Sequence, residues 1–121
     1  MNTAALISIC IPAYKRIKDL KQLLDSINVQ TFKDFEVIVT DDSPDDTVRK
    51  FLVEYNPDFK LVYFKNDPVL GTPENWNEGI RKATGDWIKI MHDDDYFTSI
   101  YSLQFFADAI IKNPVAEVFF W

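Results

Sequence analysis

One cysteine, one histidine and three glycines among 121 residues remove several kinds of chemistry at the outset. With Cys10 alone, an intrachain disulfide and a zinc cluster are both excluded, and a reducing cytoplasm is compatible. Cys10 lies inside an apolar run, where its expected role is core packing. The glycines are Gly71, Gly79 and Gly85, so the first strand is not followed by the glycine-rich turn that a dinucleotide-binding domain needs. Basic residues are also short: 13 Lys and Arg face 19 Asp and Glu, a net charge of −6. That balance argues against a nucleic-acid-binding surface, because phosphate backbones are held by clustered Lys and Arg. An acidic protein that takes up an anion needs a cation between the two. No apolar run approaches the about 18 residues of a membrane span, and the basic residues of MNTAALISICIPAYKR come after its apolar stretch, which disfavours a signal peptide. Repeats, low-complexity tracts and flexible linkers are missing as well.

What is present is a 47% hydrophobic, 15% aromatic chain that can bury one core, so a single domain over 1–121 is expected. Strand and helix signals alternate along it. Leu6 to Pro12 is a β-rich apolar run stopped by Pro12, as expected of a buried parallel strand. Leu20, Leu23, Leu24 and Ile27 predict an amphipathic helix over Lys18 to Asn28, with Lys21, Gln22 and Asp25 turned to water. Phe35 to Thr40 is a second strand, and Val48, Phe51, Leu52 and Tyr55 predict a helix that Asp45 or Asp46 can cap. Leu61 to Lys65 is a third strand. Thr72 suits the N-cap and Pro73 the first position of the next helix, which passes through Trp76, Ile80 and Ala83. Gly85 then suits a left-handed residue after its end. The run Trp87 to Met91 is a fourth strand, and Leu103, Phe106, Ala107, Ile110 and Ile111 predict a helix stopped at Asn113-Pro114. Glu117 to Trp121 begins a fifth strand. Such alternation implies an α/β fold, a mostly parallel sheet with helices on both faces. A chain that stops in an apolar strand reads as a cut fragment. Val118 to Trp121 would then expose aromatic side chains beside an open strand edge, so a homo-oligomer formed through this carboxyl-terminal strand is expected.

The chemistry-bearing residues fall in three loops on the carboxyl side of strands, which a parallel sheet puts on one edge. Pro12-Ala13-Tyr14 follows the first strand, Asp41-Asp42 the second, and Asp93-Asp94-Asp95 the fourth. Tyr14 offers an aromatic face and a hydroxyl for packing on a base, although such a Tyr more often lids a core. Asp42 can accept hydrogen bonds from a base or ribose; taken alone, an Asx turn before the helix is the commoner role. Asn77, one turn into its helix, can face the cleft or be a surface or back-bonding residue. Three adjacent carboxylates repel unless solvated, capping a helix or bridged by a cation. His92 has two open readings, a metal ligand or acid and a partly buried structural histidine.

Three strings, SICIPAYKR, QTFKDFEVIVTDDSPDDT and NWNEGIRKATGDWIKIMHDDDYF, cover nearly the whole chain and are similar to the successive signatures of family 2 glycosyltransferases of the GT-A type. QTF, DFEVIVTDDS and ATGDWI are individually specific. The resemblance implies a truncated GT-A, Rossmann-like nucleotide-diphospho-sugar transferase fold, of which this chain is the amino-terminal, donor-binding part. It implies transfer of a sugar, with inversion, from a nucleotide-diphosphate donor, usually UDP-linked, with Mn²⁺ or Mg²⁺ held by a DXD-type motif. Carried over residue by residue, Pro12, Ala13 and Tyr14 would line the nucleoside pocket with Asp41 and Asn77 nearby. Asp42 would bind the base, Asp93 the ribose, and Asp94 with Asp95 the metal. The first Asp of the motif aligns with His92, while Asp93-Asp94-Asp95 satisfies the pattern too; hard divalent cations favour a carboxylate over His92. The general base of the family would lie beyond residue 121, leaving the catalytic residues unknown and transfer by the chain alone unexpected. The acceptor would be a hydroxyl of a polysaccharide, lipid-linked or protein glycan, in cell-surface polysaccharide biosynthesis, and the location cytoplasmic or at the inner face of a membrane. A non-catalytic nucleotide-binding or interaction module of the same fold stays open. A Mg²⁺-binding receiver domain would need an acidic pair after the first strand, where this chain has Pro12-Ala13-Tyr14.

Overall fold

The computed structural model describes residues 5–115. Four strands, β1 (Ile7–Ala13), β2 (Phe35–Asp41), β3 (Lys60–Lys65) and β4 (Trp87–Ile90), alternate with four helices, α1 (Ile17–Asn28), α2 (Thr47–Glu54), α3 (Glu74–Lys82) and α4 (Ser102–Lys112). The sheet order is β3-β2-β1-β4 and every pairing is parallel. Strand order therefore reverses between β1 and β4, the place where open α/β sheets take their ligands. The fifth strand expected over Glu117 to Trp121, and the self-association expected of it, lie outside the described residues.

The pleat of β1 and β2 divides the core in two. Ile7, Ile9, Ile11 and Ala13 with Phe35, Val37 and Val39 point to one side, where they meet Leu20, Leu23, Leu24 and Ile27 of α1. Those four α1 residues are at most 1% exposed, and each such burial stabilises by about 1.5–3 kcal/mol. Lys21, Gln22 and Asp25 face water, as the helical period requires. The opposite side of the sheet is more polar: Ser8, Cys10, Glu36 and Thr40 share it with the buried Ile38, and it meets α3, where the Cys10 thiol donates to the Gly79 carbonyl at 3.5 Å and the Thr40 hydroxyl to the Asn75 carbonyl at 3.2 Å. Helices thus cover both faces of the sheet.

Gln30, of the QTF string, joins α1 to α4. It is 1% exposed, its Nε2 donates to the Ser26 and Ser99 carbonyls, and its Oε1 accepts from the Leu103 N–H in the first turn of α4. Side-chain periodicity does not reveal such a buried amide, because its partners are backbone groups on another element.

Several boundaries differ from the sequence reading. Pro73 takes the N-cap position of α3 instead of the first helical one, its carbonyl accepting from the Asn77 N–H at 3.1 Å, and a preceding turn is closed by the Asn75 N–H on the Gly71 carbonyl. Gly85 is not the left-handed residue; α3 ends at Lys82 and Ala83 is extended. Gly85 is needed for close approach, because a Cβ there would lie 2.7 Å from Ser8 Oγ and 2.9 Å from Ser8 N. Ile111 continues the apolar period of α4 yet is 72% exposed, while Leu103 and Ala107 are buried. Asp45 accepts from the Thr47 N–H at 3.2 Å, and Asp46, at the N-cap of α2, makes no capping bond.

Burial, with the Glu36 charge adding to it, pushes the Cys10 thiol up to about 12. The thiol is therefore protonated near neutrality and is not a nucleophile. In native buffer a maleimide should leave Cys10 unmodified over the time in which a denatured sample reacts to completion; equal rates in the two conditions would contradict this placement.

Candidate nucleotide cleft at the carboxyl edge

A cleft of about 360 Å³ opens at the carboxyl edge of the sheet, beside the reversal of strand order. One wall is the end of β1 and its loop, Pro12, Ala13 and Tyr14; the opposite wall is Asn75 and Trp76 of α3 with Val69, Gly71 and Thr72 of the preceding loop. Asp42 from the end of β2 and His92 and Asp93 from the turn after β4 complete it. Tyr14 is half exposed, leaving its ring available to a flat ligand. Trp76 and His92 meet edge-on with ring centroids 4.8 Å apart.

The acidic residues that the sequence groups together are sorted by the fold. Asp41 points away from the cleft. Fully buried, it accepts from the Ser43 N–H at 2.9 Å and the Tyr63 hydroxyl at 2.6 Å, with the Lys65 ammonium 3.7 Å away. Lys65 also donates to the Ser43 and Asp45 carbonyls, so it clamps the loop after β2. Burial, then the hydrogen bond to Asp41, pushes the Tyr63 phenol above its ordinary value. Asp42 faces the cleft. Its Oδ1 accepts from Asn66 Nδ2 at 3.0 Å and the Leu70 N–H at 2.8 Å, and its Oδ2 accepts from the Gly71 N–H at 2.7 Å. Gly71 sits at φ 75°, a left-handed conformation that turns this N–H toward Asp42 and that glycine adopts without a Cβ penalty.

Asp93, Asp94 and Asp95 diverge as well. Asp93 borders the cleft and accepts from the Tyr14 N–H at 3.1 Å, which ties the turn after β4 to the loop after β1. Burial pushes its carboxyl above the ordinary range; the Tyr14 N–H and Arg16 pull it down, while Asp94 and Asp19 add to the rise. Asp94 is exposed and lies 3.5 Å from the Arg16 guanidinium, which also pairs with Asp19 at 3.1 Å. Asp95 accepts from the His92 N–H at 2.9 Å and borders a different cavity, of about 440 Å³, with Met91, Tyr96 and Phe106. Asn77 is off the cleft wall, its amide donating to Glu74 at 3.3 Å. Of the residues expected at the nucleotide, the fold brings together Pro12, Ala13, Tyr14, Asp42 and Asp93, and sets Asp41 and Asn77 apart.

Among the described residues no three His, Cys, Asp or Glu side chains converge as a ligand set. The closed ligand cage of a structural metal is therefore not what this edge offers. One exposed carboxylate, Asp94, beside the cleft-lining Asp93 does fit a Mg²⁺- or Mn²⁺-type ion, which takes hard oxygen donors and commonly uses one or two carboxylates with phosphate and water oxygens completing its shell. Asn75 and Trp76 line the cleft, and Asn66 holds the Asp42 and Asn75 side chains from the neighbouring cavity; sequence reasoning passed over all three. The available signal for Asn66 was its place directly after β3, on the same sheet edge as the acidic loops.

A family model described as glycosyl transferase family 2 matches residues 8–120. A glycosyltransferase of Haemophilus influenzae is 36% identical over 92 residues, covering 76% of this chain and 30% of its own length. The crystal structure of S. aureus TarS 1-349 in complex with UDP-GlcNAc superposes with a TM-score of 0.79 at 28% identity, over 89% of this chain and 32% of that one. The mannosyltransferase PcManGT of Pyrobaculum calidifontis, in complex with GDP-Man and Mn²⁺, gives a TM-score of 0.71 at 25% identity, over 84% of this chain and 31% of that one. The chain thus spans about a third of the length of these three proteins.

Proposed function

Because this chain belongs to glycosyl transferase family 2, we propose that it forms the donor-binding part of an inverting glycosyltransferase, holding the nucleotide of a UDP-sugar whose sugar passes to an acceptor hydroxyl. The observation that carries this reading is the cleft where strand order reverses, which places the aromatic face of Tyr14, the buried carboxylate of Asp42 and a second carboxylate, Asp93, around one space. In this reading Tyr14 packs on the base within the wall made by Pro12 and Ala13, and Asp42 accepts a base N–H. Asp93 accepts from the ribose hydroxyls. Asp94 holds a Mn²⁺ or Mg²⁺ ion, with Asp41 and Lys65 bracing the adjoining loop and Asp95 holding the turn. A divalent ion supplies charge neutralisation for the departing diphosphate. The chain's own contribution is to bind and orient: Arg16 keeps a positive charge beside Asp94, and Tyr14 through its N–H fixes where Asp93 points. The TarS and PcManGT complexes, with UDP-GlcNAc and with GDP-Man and Mn²⁺, support a nucleotide-sugar ligand for this cleft. We place the general base in the part of the longer relatives that this chain does not span. The acceptor, a polysaccharide, lipid-linked or protein glycan, and a site of action in the cytoplasm or at the inner membrane face belong to the same proposal. No helix among the described residues is long and apolar enough to cross a membrane.

Calorimetric titration tests the reading. UDP should bind in the presence of Mn²⁺, and excess EDTA should weaken that binding by at least about tenfold, because two phosphates beside the Asp93 and Asp94 carboxylates repel without an intervening cation. Equal affinity with and without EDTA would remove the metal from the proposal, and no UDP binding with Mn²⁺ would remove the nucleotide.

A further inference from the structure

We propose that Asn66 is a positioning residue that sets base selectivity, by saturating one oxygen of Asp42 so that the cleft offers a base a single acceptor site. This inference rests on the reading above, in which Asp42 meets the base.

Asn66 is 7% exposed, and its backbone and amide N–H groups are all donated. Its backbone N–H donates to the Asp41 carbonyl at 2.9 Å, continuing the β2–β3 ladder into the loop. Its amide nitrogen donates to Asp42 Oδ1 at 3.0 Å and to Asn75 Oδ1 at 2.7 Å. The orientation of this amide is fixed by chemistry, since an ionised carboxylate can only accept. Asn75 is held in turn: its N–H donates to the Gly71 carbonyl at 2.8 Å, and its own carbonyl accepts from Thr40 at 3.2 Å. Asn66 is thus locked between a strand end and the first turn of α3, and it locks Asp42.

A carboxylate oxygen has about two lone pairs. Oδ1 of Asp42 spends both, on Asn66 and on the Leu70 N–H, whereas Oδ2 spends one, on the Gly71 N–H. One acceptor position is left, on the side chain that lines the cleft. A uracil-type edge presents one ring N–H between two carbonyls and needs one acceptor. A guanine edge presents a ring N–H beside an amino N–H, and the pair asks for both carboxylate oxygens. A cytosine-type ring nitrogen carries no hydrogen and is repelled. Since the fold admits UDP-sugar and GDP-sugar ligands in different proteins, the choice must be made by side chains, and here Asn66 closes the second oxygen.

The test is calorimetry on the full 121-residue chain with Mn²⁺, titrating UDP and GDP into the parent, Asn66→Ala and Asn75→Ala, with circular dichroism to verify folding. The parent should prefer UDP. Asn66→Ala, by freeing Oδ1, should shrink the UDP-over-GDP preference by about tenfold, the weight of one hydrogen bond to a charged group. Asn75→Ala, which loosens the Asn66 amide and also trims the cleft wall, should weaken both nucleotides somewhat and shrink the UDP-over-GDP preference by less than Asn66→Ala; that change in the ratio carries the test if Asn66→Ala does not fold. A purely structural Asn66 would weaken both nucleotides by one common factor, and that result overturns the inference, as does a parent that prefers GDP. A parent without affinity for UDP, or one in which Asp42→Ala changes nothing, overturns the underlying reading and this inference with it.

Discussion

Replacing Asp42 with alanine is expected to weaken UDP binding by about 3 kcal/mol, roughly 150-fold, with a smaller loss of stability. Two effects add. The base loses the remaining acceptor position on a largely buried carboxylate, where a hydrogen bond to charge is worth most. The loop before α3 also loses its anchor, because the Leu70 and Gly71 N–H groups and the Asn66 amide all donate to this one side chain. Gly71 lies on the cleft wall, and Asn66 and Leu70 border the neighbouring cavity of about 250 Å³, so water can replace part of what is lost and the fold should survive with a lowered melting temperature. Calorimetry with UDP and Mn²⁺ reads the first effect and thermal unfolding the second. If the variant melts earlier yet binds UDP with parental affinity, Asp42 is a loop clamp only and the base lies elsewhere.

The largest effect on stability is expected at Glu36, on the face of the sheet opposite α1. Glu36 is 2% exposed, and its Oε2 accepts from the Ser8 hydroxyl at 2.6 Å and from the Thr84 N–H and hydroxyl, both at 2.8 Å. Lys60 lies 3.5 Å from Oε1, and the Gly85 N–H donates to Ser8, so one carboxylate pins the segment between α3 and β4 onto β1 and β2. Glu36→Ala would strand these donors over a cavity and should cost about 3–5 kcal/mol. Glu36→Gln keeps the volume and one acceptor and should cost less. Burial pushes this carboxyl up, but the hydrogen bonds from Ser8 and Thr84, with the Lys60 charge, outweigh it and hold the group below its ordinary value. A depressed folded value means that the stabilisation is complete above the unfolded carboxyl pKa, about 4.3, and drains away as pH falls from there through the folded one. The stability gap between parent and Glu36→Gln, measured by urea unfolding, should therefore be widest near pH 7 and narrow below about pH 4. A gap independent of pH would show that the charge of Glu36 contributes nothing.

Much of the fold was legible in the sequence because its signals are local. Apolar spacing at the helical period marked α1 and α2, and short β-branched and aromatic runs marked the strands. Strand ends then placed the acidic loops on one edge without reference to any contact. Local signals fail where an element's neighbours decide the outcome. Ile111 keeps the helical period but lies 72% exposed at the end of α4, and Gly85 owes its identity to Ser8, far away in sequence.

Composition and pattern by themselves determined the α/β alternation, the single core and the acidic carboxyl edge, since each depends on residue type and spacing alone. Tertiary structure decided which carboxylate serves which purpose. Adjacent residues at a strand end point to opposite faces, so Asp41 turns to Tyr63 and Lys65 while Asp42 turns to the cleft. The turn after β4 likewise separates Asp93, facing the cleft, from Asp94 at Arg16 and from Asp95 at the His92 N–H. A run of like letters contains no information about direction. Only the strand order, which puts β4 beside β1 instead of beside β3, brings Asp93 to the Tyr14 N–H and so makes a cleft of residues that are 79 positions apart.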